Sequence, residues 1–329
     1  AMRVVHGIRG FCVINIEAIM AAYLRQKYGV RKIAIVDTDV HHGDGTQDIF
    51  YHDPDTLYIS FHQDGRTLYP GSGFPNEAGS PAALGTNINL PLLPGTGDEG
   101  VHRLFDGIIR PILDDFEPEI IINSAGQDNH FSDPLASMSV TAQGYARLAD
   151  KLKADIAVLE GGYSVEAALP YVNTGIILAM AEMDYSNVIE PDQTGLRRQD
   201  DRCNARVDEL IRQIGDLWTN RQKLSREALA KCGDTWSRRK NIYYDEEGIS
   251  EEQVETVHYC KQCNGYLTIQ TAAENTRFGS QSAFIAIVEE STCPVCRQEA
   301  YDEALKAKKT AKWQYVFVQD KTKGNIENI

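Results

Sequence analysis

The chain has 329 residues, 42% of them hydrophobic and 24% charged, with a net charge of -14 at neutral pH. That length allows two domains, and no run of about 18 apolar residues is present to cross a membrane as a helix. No basic, apolar leader opens the chain, so a cytoplasmic protein is expected. Almost all of the negative charge falls before residue 186, which suits cationic substrates through the surface field and disfavours nucleic acid as the partner of that half.

In chain order, the first strong signal is the β-branched run Lys32-Ile33-Ala34-Ile35-Val36, which reads as a buried parallel strand. It ends in Asp37-Thr38-Asp39-Val40-His41-His42-Gly43. Strand side chains alternate, so Asp37, Asp39 and His41 project from one face where the strand stops. Two carboxylates and an imidazole crowded there repel or stay desolvated unless a cation joins them. Both residue types are good zinc ligands, and a catalytic zinc needs three of them plus an open position. The alternative is a solvated, turn-forming loop.

Open α/β sheets build their sites outside the carboxyl ends of the strands. Three more apolar runs stop in polar turns: 57–63, 119–130 and 155–163. The second supplies Asp128 as the natural third ligand. The third supplies Tyr163, which follows Gly161 and Gly162 and can donate its hydroxyl to a developing oxyanion. Singly, the Asp also reads as a cap or turn residue and the Tyr as packing.

Residues 187–201 carry Pro, Gly, Asn, Asp and paired Arg and read as a linker. Beyond them Val207, Leu210, Ile211, Ile214, Leu217 and Trp218 fall at helical spacing, a stripe that packs on the first domain or on a partner. Cys260-Lys-Gln-Cys263 and Cys293-Pro-Val-Cys296 enclose strand-like runs at 266–270 and 283–288. Four thiolates close a coordination sphere, so this pattern reads as a zinc ribbon with a structural zinc. The alternative is two disulfides, which a reducing compartment opposes. Trp313, Tyr315 and Phe317 alternate in the basic tail, as in an amphipathic strand, although ribbons also bind nucleic acid.

Gly10-Phe11-Cys12, residues 37–47, Tyr69-Pro70-Gly71-Ser72-Gly73, residues 124–135 and residues 159–163 carry a further reading. In that order they resemble the histone deacetylase and acetylpolyamine amidohydrolase superfamily, nearest its class II-like bacterial members, from about residue 7 to about residue 183. The resemblance implies an α/β fold of arginase–deacetylase type, a parallel sheet flanked by helices, here with its early strands missing. It implies catalytic zinc on Asp39, His41 and Asp128, with Tyr163 as oxyanion donor. It also implies potassium near Asp37 and Ser60, with carbonyls of Asp39, His41 and Phe61, and an acyl-lysine tunnel lined by Phe11, Tyr69 and Leu135. Arginases are set apart because Gly43 and His130 stand where a second metal needs carboxylates.

The family's general base is a pair of adjacent histidines shortly before the Gly-Phe-Cys segment, and Ala1 and Met2 stand at that distance here. The chain is therefore expected to begin inside the family's active-site loop, and its own turnover to suffer; His6 lies too close to Gly10 to substitute. Gln127 replaces an aromatic residue and Ile16 a second Asn. The expected organisation is a partial catalytic domain at 1–186, the linker, and a helical and zinc-ribbon domain at 202–329. The expected function is zinc-dependent deacetylation of an acetylated lysine peptide or acetylpolyamine. A non-catalytic scaffold of the same fold and a nucleic-acid-binding regulator are the alternatives. Partners are expected as a homo-oligomer or another protein, through the truncated sheet edge or the ribbon, and no membrane is involved.

Overall fold

The computed structural model describes residues 12, 14–244, 248–277 and 279–329. Its first helix, α1 (Ile16–Tyr28), starts where the Asn15 side chain accepts the Ala18 N–H and stops at Gly29 in the left-handed region. There follow β1 (Ile33–Asp37), α2 (Asp44–Phe50), β2 (Thr56–Gln63), β3 (Asn87–Leu92), α3 (Asp98–Leu104), α4 (Arg110–Phe116) and β4 (Ile120–Ala125). Then come α5 (Ala142–Leu152), β5 (Ile156–Leu159), α6 (Leu169–Met180) and α7 (Asp201–Cys232).

The five strands form one parallel sheet in the order β3-β2-β1-β4-β5. Every residue of β1, β2 and β3 is buried, as strands covered by helices on both faces must be. On one face Leu57, Ile59, Leu90, Phe105, Ile109 and Leu148 share a core with residues of α6 and α7; on the other, Ile33, Ile35, Tyr58 and Ile122 pack against Ala18 and Ala21 of α1. Register sets Asp37 beside Ser60 on one side and Ser124 on the other. The carboxyl ends of β1, β2 and β4 are thus level, and the loops that leave them meet at one end of the sheet.

The expected stripe on α7 faces this core: Val207, Leu210, Ile214 and Trp218 are all buried in it. The first compact unit runs from Asn15 to Arg226, past the boundary expected at 186. The stretch 187–201 belongs to it because its side chains are tied in. Glu190 is buried against His130, and Gln199 accepts the N–H groups of Gly97 and Gly100. Its Pro, Gly and Asn content reports irregular backbone and says nothing about contacts.

The second unit, Glu227–Ile329, contains more sheet than a minimal ribbon. The strands β6 (Thr235–Tyr244), β7 (Ile249–His258), β8 (Tyr266–Asn275) and β9 (Gly279–Val288) form an antiparallel meander. After α8 (Pro294–Lys309), β10 (Tyr315–Asp320) joins parallel to β9, and β11 (Asn325–Asn328) completes a six-stranded sheet. The Ala300, Ala304 and Ala307 row of α8 packs on Phe284, Ala286, Val288, Val316 and Val318. The tail alternates as expected, with Val316 and Val318 facing the helix and Tyr315 stacked on Phe317 on the other side. Among the described residues, no helix is long and apolar enough to cross a membrane.

Candidate metal centre

Where β1 ends, short-range hydrogen bonds fold its sequel into a fixed turn. The Asp39 N–H donates to Asp37 Oδ1 at 3.1 Å, and the His41 N–H to Asp39 Oδ1 at 2.7 Å. From the loop after β4, Asp128 Oδ1 accepts the Val40 N–H at 2.8 Å. These bonds bring His41 Nδ1 to 3.0 Å from both Asp39 Oδ1 and Asp128 Oδ2. The three ligand atoms lie within 4.8 Å of one another.

Glycines make that approach sterically feasible. A Cβ on Gly161 would stand 2.2 Å from Asp128 Oδ2 and 2.6 Å from Asp39 Oδ2, and one on Gly126 would stand 2.4 Å from Asp39 Oδ2. Gly161 also donates its N–H to Asp39 Oδ2 at 2.8 Å. Burial pushes the Asp128 carboxyl up, and the Asp39 charge adds to it, to about 7. Burial draws His41 down, but its hydrogen bonds to Asp128 and Asp39 prevail and raise it to about 10. Without a metal, a proton on the imidazole supplies the positive charge that two converging carboxylates require. Two carboxylates and one imidazole nitrogen around a shared point, with no side chain from either glycine in the way, fit a zinc ion with an open position.

The Tyr163 ring meets the His41 ring edge to face, with centroids 6.3 Å apart. Its N–H donates to Asp133 Oδ2 at 2.8 Å, and Asp133 Oδ1 accepts the Leu135 N–H at 2.9 Å. One carboxylate therefore anchors both loops. Tyr69 and Leu135 are exposed, on the loops after β2 and β4. Phe11 lies outside the described residues. Asp37, Ser60 and Phe61 are buried. The Tyr58 hydroxyl donates to Asp37 Oδ2 at 2.6 Å, and Ser60 Oγ is 2.8 Å from His62 Nδ1.

Several supporting residues escape a sequence reading. His62 is fully buried, held down to about 3 by burial and then by His42, and its Nε2 donates to the Gly73 carbonyl at 3.0 Å. His42, the second histidine of the β1 turn, reaches Ser72 Oγ at 2.9 Å. The pair braces the 71–73 loop, where Gly73 has φ +85° and no room for a Cβ beside His62. Adjacency of His42 to His41 was the one available signal. Glu190 gave none.

A second ligand group lies in the other unit. Cys260 and Cys263 sit in the β7–β8 turn, Cys293 caps α8, Cys296 lies in its first turn, and the four sulfurs fall within 4.8 Å of one another. The Gln262 N–H points at Cys260 Sγ (3.3 Å) and the Gly265 N–H at Cys263 Sγ (3.2 Å). The Gln262 N–H foremost, and then the Cys263 N–H, hold the Cys260 thiol down at about 7. Gly265 sits at φ +78°, and its Cβ would lie 1.7 Å from the His258 carbonyl, so only glycine closes this knuckle.

The family description "Histone deacetylase domain" matches residues 5–178. A probable deacetylase of Archaeoglobus fulgidus is 52% identical over 192 residues, covering 56% of this chain and 53% of that protein. Histone deacetylase 14, chloroplastic, of Arabidopsis thaliana is 42% identical over 170 residues, covering 49% and 40%. The acetoin utilization protein AcuC of Bacillus subtilis is 36% identical over 200 residues, covering 57% and 51%. Among solved structures, the HDA15 HD domain superposes with a TM-score of 0.57 at 30% identity, covering 68% of this chain and 61% of that one. The chain spans about half the length of the curated relatives it matches. Since the matched stretch is more than half of the chain and holds all five strands of the parallel sheet, the chain belongs to the histone deacetylase family.

Proposed function

We propose that the first unit carries the metal centre of a zinc-dependent deacetylase that hydrolyses the amide of an acetylated lysine or polyamine. The observation that carries this reading is the convergence of Asp39, His41 and Asp128 on one point with the Tyr163 ring beside it. Zinc bound by those three residues would supply Lewis acidity to the acyl oxygen and to the attacking water. Tyr163 donates its hydroxyl to the oxygen that becomes negative as the amide carbon turns tetrahedral. Tyr69 and Leu135 grip the methylenes of the acylated side chain, since apolar walls suit an extended alkyl amide. Asp37 and Ser60, with the carbonyls of Asp39, His41 and Phe61, would hold a potassium ion. The acidic surface of this half draws in a cationic peptide or polyamine.

Cys260, Cys263, Cys293 and Cys296 hold a second, structural zinc, which needs the reduced thiols of a cytoplasmic protein. The proton acceptor is the adjacent histidine pair that the family resemblance locates upstream of Gly10. A form that carries such a pair is expected to turn over roughly two to four orders of magnitude faster than one that lacks it.

The test is zinc-dependent hydrolysis of an acetyl-lysine peptide, with metal content measured, by this chain and by a form extended upstream through the pair. Fast hydrolysis by the extended form is expected. If neither form hydrolyses the peptide while Asp39, His41 and Asp128 are fully loaded, the enzyme reading fails and a metal-holding binding module takes its place.

A further inference from the structure

Glu190 comes from the stretch that composition marks as linker, yet its side chain is 2% exposed and meets the fully buried ring of His130. Its Oε1 lies 2.7 Å from His130 Nε2 and also accepts the Ala142 N–H at the start of α5. On the far side of the ring, Nδ1 accepts the Ser132 N–H at 3.2 Å, and Ser132 Oγ lies 2.9 Å from the same nitrogen. An imidazole nitrogen that accepts an amide N–H carries no proton, so the network assigns the ring proton to Nε2, pointing at Glu190. The Ser132 hydroxyl then donates to Nδ1, and its oxygen is left to accept the Ser164 hydroxyl at 2.8 Å. Donors and acceptors thus run in one direction: Ser164, Ser132, His130, Glu190.

The row ends beside Tyr163, in a loop without regular structure that contains Gly161 and Gly162. Such a backbone has many conformations open to it. It is held at the Tyr163 N–H by Asp133 and one residue later by Ser132. Capping α5 is one use of this carboxylate: Oε1 accepts the Ala142 N–H while Thr141 Oγ1 accepts the Gly144 N–H, and the same Oε1 also meets the His130 ring. Burying a carboxylate against a neutral ring is costly, and one cap offsets only part of that cost.

We propose that Glu190 is a positioning residue for Tyr163, fixing through His130, Ser132 and Ser164 the backbone from which the phenol reaches the metal centre. The proposal rests on the reading of Tyr163 as oxyanion donor only for its effect on turnover.

The experiment uses the zinc-loaded chain labelled with [ζ-13C]tyrosine, the Tyr163 resonance being identified by its loss in Tyr163→Phe. That resonance is expected to shift or broaden in Glu190→Gln, Ser132→Ala and Ser164→Ala. The two serine variants leave the Glu190 bond to α5 in place, so a folding defect in Glu190→Gln cannot hide the result. In whichever form of the protein hydrolyses an acetyl-lysine peptide, each variant should lower kcat about ten- to a hundredfold at unchanged KM and zinc content. The loss should vanish beside Tyr163→Phe. An unmoved Tyr163 resonance in both serine variants overturns the proposal, and so does a kcat loss that persists undiminished beside Tyr163→Phe. A shifted resonance, where neither this chain nor the form extended through the histidine pair hydrolyses the peptide, supports the positioning and refutes the oxyanion reading instead.

Discussion

Gly161 contributes both an amide and the lack of a side chain to the same small space. Its N–H donates to Asp39 Oδ2 at 2.8 Å, while an added Cβ would stand 2.2 Å from Asp128 Oδ2. Neither carboxylate can retreat easily: Asp128 is fully buried and also accepts the Val40 N–H. Gly161→Ala is therefore expected to abolish zinc binding at this centre while the four-cysteine group keeps its metal, read as a drop of one zinc per chain. Gly45→Ala is the control, because nothing lies within 4 Å of its Cβ and its φ is not positive; it should keep both metals. Asp39, His41, Asp128 and Tyr163 were legible because each follows a recognisable strand within a few residues. Glu190 was not, since its partner His130 is 60 positions away and only folding pairs them.

At the scale of elements, what the sequence disclosed depended on how each strand buries its residues. β1, β2 and β4 are dense in Ile, Val, Leu and Tyr and are readable as runs, and α7 declares itself through the spacing of its apolar stripe. β6 and β7 do not, because polar residues (Arg238, Lys240, Glu251, Gln253 and Glu255) interrupt their inward rows. Glu255 pairs with Arg238 and Lys240, each at 2.5 Å, and Glu251 accepts the Tyr244 hydroxyl at 2.7 Å and the Gln253 amide at 2.6 Å. A sheet face satisfied by ion pairs leaves no hydropathy alternation to find. The α7 stripe has a measurable consequence. Leu210 has no exposed surface, so Leu210→Ala should cost the first unit about 2–5 kcal/mol in denaturant unfolding. Leu224, 36% exposed on the same helix, should cost no more than about 0.5 kcal/mol as Leu224→Ala. Equal costs at the two positions would mean that the stripe does not secure α7 to the core.

For the whole molecule, the two ligand groups differ in kind as well as in place. The first offers three side chains in the family-matched unit and leaves a position open; the second offers four sulfurs beyond the matched residues. An ion with an open position is within reach of a competing chelator, whereas four thiolates must be displaced together. The groups they join differ too. Asp39, His41 and Asp128 hang from a parallel sheet whose core of Leu57, Ile59, Leu90 and Leu104 closes without any metal. The cysteines tie the β7–β8 turn to the start of α8, and the packing of that helix on the second sheet rests mainly on alanines. Small side chains bury little apolar area, so a metal held by the four cysteines would carry a larger share of that unit's stability. Brief treatment with a mild chelator is therefore expected to take the zinc from Asp39, His41 and Asp128 and leave one zinc per chain, with the far-ultraviolet circular dichroism unchanged. Stronger chelation, or Cys260→Ser with Cys263→Ser, should remove the second zinc and with it strand signal and protease resistance beyond residue 227. Simultaneous loss of both metals, or collapse of the dichroism with the first, would show that the two centres do not have these separate roles.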